Sequence, residues 1–461
     1  MSSPPGEAAA DLREVHLRLG PERARTRTSL TLSGPRRALD LTPTFDALEV
    51  TVDGVGDCHV EAGVVRLRDL RAGARVTVSG DVEYRPTPHG LHAWTDAADG
   101  SRYVVASGAL GGARHFMACD DGPADRMVTR IVVESGGLTR SWDQEGTVAS
   151  HQLGLAAGPW VMTTAPGTEL LARRALGQDA SVRSLLADTE HVLAWLLDWF
   201  DVAAPNGPWG STYTQVLLPR APWLAMEHPG CVLLSERLLG APRARRVAVL
   251  AHEAAHQWVG NLVSPRSWSD VGLFEGLAEL LGQLACEAIM GREATGYLNR
   301  RRSAGALALP PTGPDLRTLP ETAGLAEVAG PVQHAELLRI VSETLGTPTF
   351  RDRIAELVRR RAGTACSTLE VWSDLGMAPR TPRTVRLPML SNAASHPKWP
   401  GDDVLTQSDP AMAAAAARHA FRACSSGGRR VCAALAVMME PSTPAAVTAG
   451  LAAELGRRRS H

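Results

Sequence analysis

The sequence predicts a multidomain α+β protein, because the spacing of its apolar residues changes from that of strands to that of helices near residue 180. In the first third, apolar and polar residues alternate, which is typical of strands with one buried face. From residue 181 onward, apolar residues recur at intervals of three and four. At 461 residues, the chain is long enough for two or three domains, each with its own core.

The first third contains three clear strand patterns, in residues 47–55 (ALEVTVDGV), 64–70 (VVRLRDL) and 75–85 (RVTVSGDVEYR). Gly and Asp residues between them, such as Asp53-Gly54, predict turns that separate the strands. Several short strands at this spacing favour an antiparallel sandwich or saddle.

The helical pattern is clearest in residues 181–200, where eight apolar side chains lie at helical intervals. Residues 214–219 (TQVLLP) predict one short strand, after which helices dominate. Residues 394–410 are rich in Pro, Asp and Ser and predict a linker. The alanine-rich residues 411–423 that follow it predict a further helix.

Composition excludes several classes of partner. The net charge is −1, which provides no global field for nucleic acid or for an anionic membrane. We find neither a signal-peptide pattern at the N-terminus nor an apolar run of the roughly 18 residues that a spanning helix needs. The seven cysteines are scattered and predict reduced thiols. We therefore expect a cytoplasmic protein, a monomer or a small homo-oligomer, without nucleic-acid or membrane partners.

Residues 251–261 (AHEAAHQWVGN) contain the pattern that carries chemistry. On a helix, His252 and His256 project from one face, one turn apart, so both imidazoles can reach one zinc ion. Glu253 points to another face and suits a general base acting on water better than a ligand. The alternative is a core helix with two histidines by chance, so a third ligand is needed to decide.

Glu275 is the best candidate for this third ligand. It lies 18 intervening residues after His256, where a second helix opens. Two histidines and one carboxylate leave the fourth zinc position open, which is the layout of a catalytic site. Glu279 is the rival ligand, and we expect it to be a second-shell or surface group.

This spacing resembles that of the aminopeptidase N and leukotriene-hydrolase family of zinc metallopeptidases, and four other segments resemble the family in the same order. They are residues 90–105 (GLHAWTDAADGSRYVV), 113–123 (ARHFMACDDGP), 225–236 (AMEHPGCVLLSE) and 268–276 (WSDVGLFEG). The resemblance implies a β-saddle N-terminal domain over residues 1–178 and a mainly helical, thermolysin-like zinc domain over residues 179–395. Residues 396–461 would be a linker and a short helical remnant.

The resemblance also implies roles for single residues. Glu227 would bind the free α-amine of a substrate, because a partly desolvated carboxylate gains most from a charged ammonium group. Met226, His228 and His334 are possible residues of the substrate cleft. The cofactor would be one Zn²⁺ per chain, and the substrate a peptide or an aminoacylated small molecule.

The chain departs from the family pattern at the position of a tyrosine that donates to the developing oxyanion. Pro331 occupies that position, and the loss of one such donor typically costs about 10²–10³ in turnover. His334 is a candidate replacement, although a lone histidine in a helix is more often a polar surface residue.

Other departures concern the substrate end. Leu224 replaces a glycine that pairs with the substrate backbone, and His228 replaces an asparagine. Ser107 stands where the family has the Gln or Glu that helps to bind the amine, and Phe274 replaces the asparagine before Glu275.

The sequence therefore favours a zinc-dependent, aminopeptidase-like hydrolase with Glu253 as general base. Two alternatives remain open: a catalytically impaired homologue that binds peptides, and a biosynthetic zinc enzyme with chemistry other than peptide hydrolysis.

Overall fold

A computed structural model describes residues 11–376 except 142–145, 178, 202–207, 209, 211, 220, 293, 295 and 299–330. The predicted linker, the predicted helix 411–423 and the predicted C-terminal remnant 396–461 lie outside the described residues. The described chain divides into two compact units. The first comprises the residues up to Trp268 with Arg361–Ala365, and the second comprises Ser269–Arg360 with the residues from Cys366. Sheets and helices together confirm the predicted α+β class.

The first unit opens with two β-sheets. Their strands are β1 (Leu12–Leu19), β2 (Arg23–Thr31), β3 (Arg36–Leu41), β4 (Asp46–Glu61), β5 (Val64–Glu83), β6 (Gly90–Thr95), β7 (Arg102–Ser107), β8 (Arg126–Glu134), β9 (Leu138–Ser141), β10 (Thr147–Ala149) and β11 (Gly154–Gly158). One sheet has the order β10–β8–β1–β2–β5–β3, with β4 also paired to β5, and the other has the order β6–β7–β11–β9.

The predicted turn at Asp53-Gly54 is wrong, because β4 continues through it. Gly54 has a φ of +70° and lies at a register shift in the pairing of β4 with β5. A glycine in the left-handed region can absorb such an irregularity without ending the strand. The turn lies instead at Ala62 and Gly63, both with positive φ, as a two-residue I′ hairpin requires. Segments 64–70 and 75–83 likewise form the single strand β5.

The predicted antiparallel arrangement is also wrong in one place, since β1 pairs in parallel with β8. A parallel pair needs a long connection, and six strands, β2 to β7, lie between these two along the chain. Apolar residues from both sheets form one core together with Phe116, among them Val15, Leu17, Val82, Leu91, Val104, Ala106 and Leu155.

A third, five-stranded sheet follows, in the order β12–β13–β14–β16–β15. Its strands are β12 (Val161–Ala165), β13 (Thr168–Ala172), β14 (Tyr213–Leu218), β15 (Ala225–Met226) and β16 (Cys231–Ser235). Helix α1 (Ala180–Trp199) and β14 confirm two predicted elements. The eight apolar side chains at helical intervals in residues 181–200 are all buried. Helix α2 (Arg243–Ala255) and the short strand β17 (Ser264–Pro265) complete this part of the chain.

The second unit is helical. Its helices are α3 (Val271–Met290), α4 (Pro331–Leu345), α5 (Thr347–Arg361) and α6 (Thr368–Asp374), with the short strand β18 (Ala365–Cys366) before α6. Helix α3 is buried on nearly every side, whereas α5 buries one stripe that contains Phe350, Ile354 and Leu357. Among the described helices, none is both long and apolar enough to cross a membrane.

Candidate metal centre

A buried ion pair fixes helix α2, which carries the first predicted ligands, against α1. The sequence from Arg243 to Ala255 has neither proline nor glycine, and Pro242 directly precedes it. Asp188 of α1 is buried and accepts hydrogen bonds from Arg243 Nε at 2.8 Å and from Arg246 Nε at 2.7 Å. Because these guanidinium groups compensate the charge of Asp188, the two helices are held in one register.

His252 and His256 present the same ring nitrogen to each other. Their Nε2 atoms are 3.1 Å apart, and their ring planes make an angle of 77°. Nδ1 of His256 lies 3.1 Å from the carbonyl oxygen of Val259, which can only accept. Nδ1 of His256 therefore carries a proton, and in the neutral ring Nε2 carries the lone pair that can bind a metal ion. Metal-binding histidines commonly have such a backbone partner.

Gly260 makes room for this arrangement. Its φ is +130°, and a Cβ atom added to it would lie 2.7 Å from Nδ1 of His256. A side chain at position 260 would therefore displace the imidazole from the Val259 carbonyl. The glycine of the sequence HQWVGN thus has a defined structural purpose beside the second histidine.

Glu275 is the fifth residue of α3 and is 6% exposed. One of its carboxylate oxygens and one ring nitrogen from each of His252 and His256 all lie within 4.8 Å of one another. Such a group of two imidazoles and one carboxylate can hold a metal ion. The rival Glu279 is not in this group; it is buried rather than at the surface, and it accepts a hydrogen bond from Gln283 Nε2 at 2.9 Å.

Glu253 directly follows His252 and is 7% exposed. Burial raises the pKa of Tyr213 on β14 well above its usual value, and the negative charge of Glu253 raises the pKa of Tyr213 further. The carboxylate therefore acts electrostatically on this strand. The predicted general base is thus a buried carboxylate whose charge acts on β14.

Glu227 follows the short strand β15, and side chains just beyond the second histidine hold its backbone. Its carbonyl oxygen accepts from Asn261 Nδ2 at 2.6 Å and from Gln257 Nε2 at 3.2 Å. Gln257 Oε1 in turn accepts from the Gly230 amide at 3.1 Å. The Glu227 side chain is half-buried. Its backbone position is therefore tied to the turn that follows α2.

His228 and Ser107, two predicted departures from the family pattern, contact each other. Nε2 of His228 lies 2.9 Å from Oγ of Ser107, and Nδ1 lies 3.0 Å from the carbonyl oxygen of Gln152. Burial lowers the pKa of His228 to about 4, and the bond to Gln152 opposes this shift. The imidazole is therefore neutral at physiological pH.

Met226, a predicted cleft residue, and Leu224 and Phe274, two further departures from the family pattern, are at least half-buried. Met226 is buried and pairs with Leu233 of β16, while Leu224 is half-buried and its carbonyl accepts from the Ser235 amide at 2.8 Å. Phe274 is fully buried, so the residue before Glu275 is a packing residue.

Pro331 is the first residue of α4, where a missing amide hydrogen does no harm. His334 lies one turn later and is half-buried rather than exposed. A Cβ added to Gly276 would lie only 2.2 Å from the Cβ of His334. The backbones of α3 and α4 therefore cross closely beside Glu275. The described structure thus brings His334 next to the residue that follows the predicted third ligand.

Sequence reasoning missed the residues that hold the turn after α2. Arg126 Nη1 and Gln152 Nε2 donate to the carbonyl oxygen of Asn261 at 2.9 and 3.2 Å, and Gln152 Nε2 also donates to the Gly260 carbonyl at 2.6 Å. Gln257 and Asn261 could have been suspected, because polar side chains follow an apolar helix face there. Arg126 and Gln152 are distant in sequence, and no local pattern indicates their contacts.

Comparison with known proteins shows what part of this chain is similar to. Residues 186–308 match the Peptidase family M1 domain, and this segment contains all three residues of the candidate metal group together with Glu227 and Glu253. This segment of the chain is thus similar to a peptidase domain.

Several individual proteins that are similar to this chain are aminopeptidases. The chain is 32% identical to aminopeptidase N of Canis lupus familiaris over 197 residues, which is 39% of this chain and 20% of that protein. It is 24% identical to aminopeptidase N of Streptomyces lividans over 277 residues, or 53% of this chain and 32% of that protein. Aminopeptidase M1-B of Oryza sativa subsp. japonica is 30% identical over 165 residues, or 33% of this chain and 19% of that protein. The chain is thus similar to aminopeptidases of this family over part of its length, and it spans at most about a third of the length of these relatives.

Proposed function

We propose that this protein is a zinc-dependent, aminopeptidase-like hydrolase that removes the N-terminal amino acid from a peptide or from an aminoacylated small molecule. The observation that carries the proposal is the convergence of His252, His256 and Glu275, whose potential ligand atoms lie within 4.8 Å of one another. We further propose that the N-terminal sheets form a β-saddle domain over residues 1–178. The zinc domain, thermolysin-like in type, would cover residues 179–395. Free thiols among the described cysteines support a reducing, cytoplasmic location.

The donor set fits zinc. Two nitrogens bound tetrahedrally at 2.0–2.1 Å from one zinc ion are about 3.4 Å apart. The Nε2 atoms of His252 and His256 are 3.1 Å apart, so only a small movement is needed to accommodate the ion. Imidazole and carboxylate are ordinary zinc ligands, and three of them leave one position for water or substrate.

In this proposal, His252, His256 and Glu275 hold the zinc ion, which would polarise the scissile carbonyl group and make a nearby water molecule more acidic. Glu253 accepts a proton from the attacking water and passes it to the leaving amine. The Glu227 carboxylate binds the substrate's ammonium group, so that the bond after the first residue is presented for cleavage. We assign His334 as the candidate donor to the developing oxyanion, since Pro331 has no donor to offer.

Incubation of the zinc-loaded protein with a panel of fluorogenic aminoacyl amides tests the proposal. We expect turnover that falls by about 10²–10⁴ in Glu253→Gln, because the amide keeps the shape of the side chain but cannot accept the proton. The zinc content of this variant should equal that of the wild type. Turnover that is equal in the wild type and in Glu253→Gln would contradict the assignment of the general base.

Pro331 favours one second candidate function, a peptide-binding protein without turnover. The loss of the family's tyrosine removes a transition-state contact but leaves ground-state binding groups such as Glu227 in place. This function predicts that peptides bind equally well to the wild type and to Glu253→Gln, with no cleavage by either protein.

A further inference from the structure

His228 is a buried histidine that has no role in the proposed mechanism. The residue is 2% exposed and Ser107 is 1% exposed, and the two side chains come from positions 121 residues apart in the chain. Both ring nitrogens have fixed partners, the carbonyl of Gln152 for Nδ1 and the hydroxyl of Ser107 for Nε2.

The direction of both hydrogen bonds follows from these partners. The carbonyl of Gln152 can only accept, so Nδ1 of His228 donates to it. With the pKa of His228 lowered to about 4, the ring is neutral and Nε2 accepts. The hydroxyl of Ser107 therefore donates to Nε2 at 2.9 Å, and the Ser107 oxygen can accept from the Ala109 amide at 3.4 Å. Every polar atom of the pair thus has a defined role.

The imidazole fits at this place because the strands beside Ser107 have no side chains there. Ser107 of β7 pairs with Gly90 of β6 on one side and with Gly154 of β11 on the other. A Cβ added to Gly154 would lie 2.4 Å from Cδ2 of His228. The ring therefore packs directly on the backbone of β11. This contact and the hydrogen bond to Ser107 lock the segment after β15 in place against the four-stranded sheet.

This lock acts directly on Glu227, the residue before His228. On one side, Asn261 and Gln257 hold the Glu227 carbonyl. On the other side, the ring of His228 is fixed, and the His228 carbonyl accepts from the Cys231 amide at 3.0 Å. With the backbone held on both sides, the position of Glu227 Cα and the direction in which its side chain leaves the backbone are fixed. A loss of the His228 contact would remove this constraint.

We propose that His228 and Ser107 act as one hydrogen-bonded unit that positions Glu227, and that this unit determines how strongly the protein binds a free amino terminus. The inference rests on the proposed amine-binding role of Glu227. His228 and Ser107 are positioning residues, since they act through Glu227. A neutral ring suits the task, because an imidazolium beside Glu227 would compete with the substrate's ammonium group.

The test compares two peptides of one sequence, one with a free and one with an acetylated amino terminus. Their dissociation constants are measured by calorimetry on the zinc-loaded, full-length Glu253→Gln protein, which prevents cleavage. In this background we expect Ser107→Ala to weaken binding of the free peptide by roughly 3- to 10-fold and to leave binding of the acetylated peptide unchanged. Ser107→Thr keeps the hydroxyl and should restore the free-amine preference. Thr26→Val is the matched control, because it removes a buried hydroxyl of β2 that donates to the Phe116 carbonyl, away from His228.

A double-mutant cycle completes the test. His228→Asn should weaken free-amine binding as Ser107→Ala does, and the double variant should lose little more, since both changes break one unit. Equal weakening of both peptides, or additive losses, would overturn the inference. If the Glu253→Gln protein without further changes binds the free and the acetylated peptide equally, the amine-binding role of Glu227 is overturned as well, so the two failures are distinguishable.

Discussion

At the scale of single residues, the protonation of His228 links the candidate site to stability. In the folded protein its pKa is about 4, because the ring is buried, whereas a histidine in an unfolded chain has a pKa of about 6.5. Between these pH values the unfolded state binds a proton that the folded state does not bind. The contribution to stability is therefore fully present above pH 6.5 and is lost as the pH falls toward 4.

We predict that the free energy of unfolding decreases from pH 6.5 to pH 4 with a contribution from His228 of up to about 1.4 kcal/mol per pH unit. His228→Asn removes this contribution, so its unfolding free energy should depend less on pH. Urea unfolding at several pH values measures both slopes. Burial also lowers the pKa of His151, to about 3, so some pH dependence should remain in the variant. Equal slopes for variant and wild type would contradict the assignment.

At the scale of elements, the crossing of α3 and α4 depends on Gly276. A Cβ there would lie 2.9 Å from the backbone carbon of His334 and 3.0 Å from the backbone nitrogen of Ala335. These are backbone atoms, so a new side chain can be accommodated only if the helices move apart. The glycine adjoins Glu275, and this movement would shift the predicted zinc ligand.

Gly276→Ala should therefore destabilise the protein by about 1–3 kcal/mol, as is usual for overpacking, and should also weaken zinc binding. Gly240→Ala is the control, since its Cβ meets nothing within 4 Å. Chemical denaturation and zinc titration measure the two effects. If Gly276→Ala behaves like Gly240→Ala in both, then the close crossing of α3 and α4 does not exist in solution.

The contact of α1 with α2 depends on a buried charge. Asp188→Ala leaves Arg246, which is itself buried, without its carboxylate partner. We predict a loss of about 3–5 kcal/mol in the free energy of unfolding, the usual result when one partner of a buried ion pair is removed. Asp198→Asn on the exposed face of α1 should change stability by less than about 0.5 kcal/mol. A small effect of Asp188→Ala would mean that water reaches Arg246.

Local patterns predicted the elements of this chain better than their connections. The helical spacing of apolar residues indicated α1, and the pattern HEAAH indicated α2, because both signals lie within one element. The Asp53-Gly54 signal is ambiguous, since a glycine with positive φ serves a bulge as well as a turn. The parallel pairing of β1 with β8 could not be predicted, because strand direction in a sheet depends on long connections.

At the scale of the whole molecule, the site residues that could be predicted depend on local sequence patterns, whereas the missed contacts join residues that are distant in sequence. The two histidines and Glu275 could be predicted as ligands because ligand spacing is a local property of the sequence. The contact of His228 with Ser107 was not found, although each was noted singly as a departure from the family pattern. Only the sheet that pairs Ser107 with Gly154 makes room for the ring of His228. The two departures are therefore best understood as one change.

The central claim is that His252, His256 and Glu275 bind one zinc ion per chain, and metal analysis after dialysis tests it most directly. The wild type should retain about one zinc per chain, whereas Glu275→Gln and His256→Ala should retain far less, because three protein ligands are needed to hold the ion tightly. Glu279→Gln, which changes a buried glutamate on the same helix, should retain as much zinc as the wild type. A wild type without zinc, or equal zinc in Glu275→Gln and Glu279→Gln, would contradict the account.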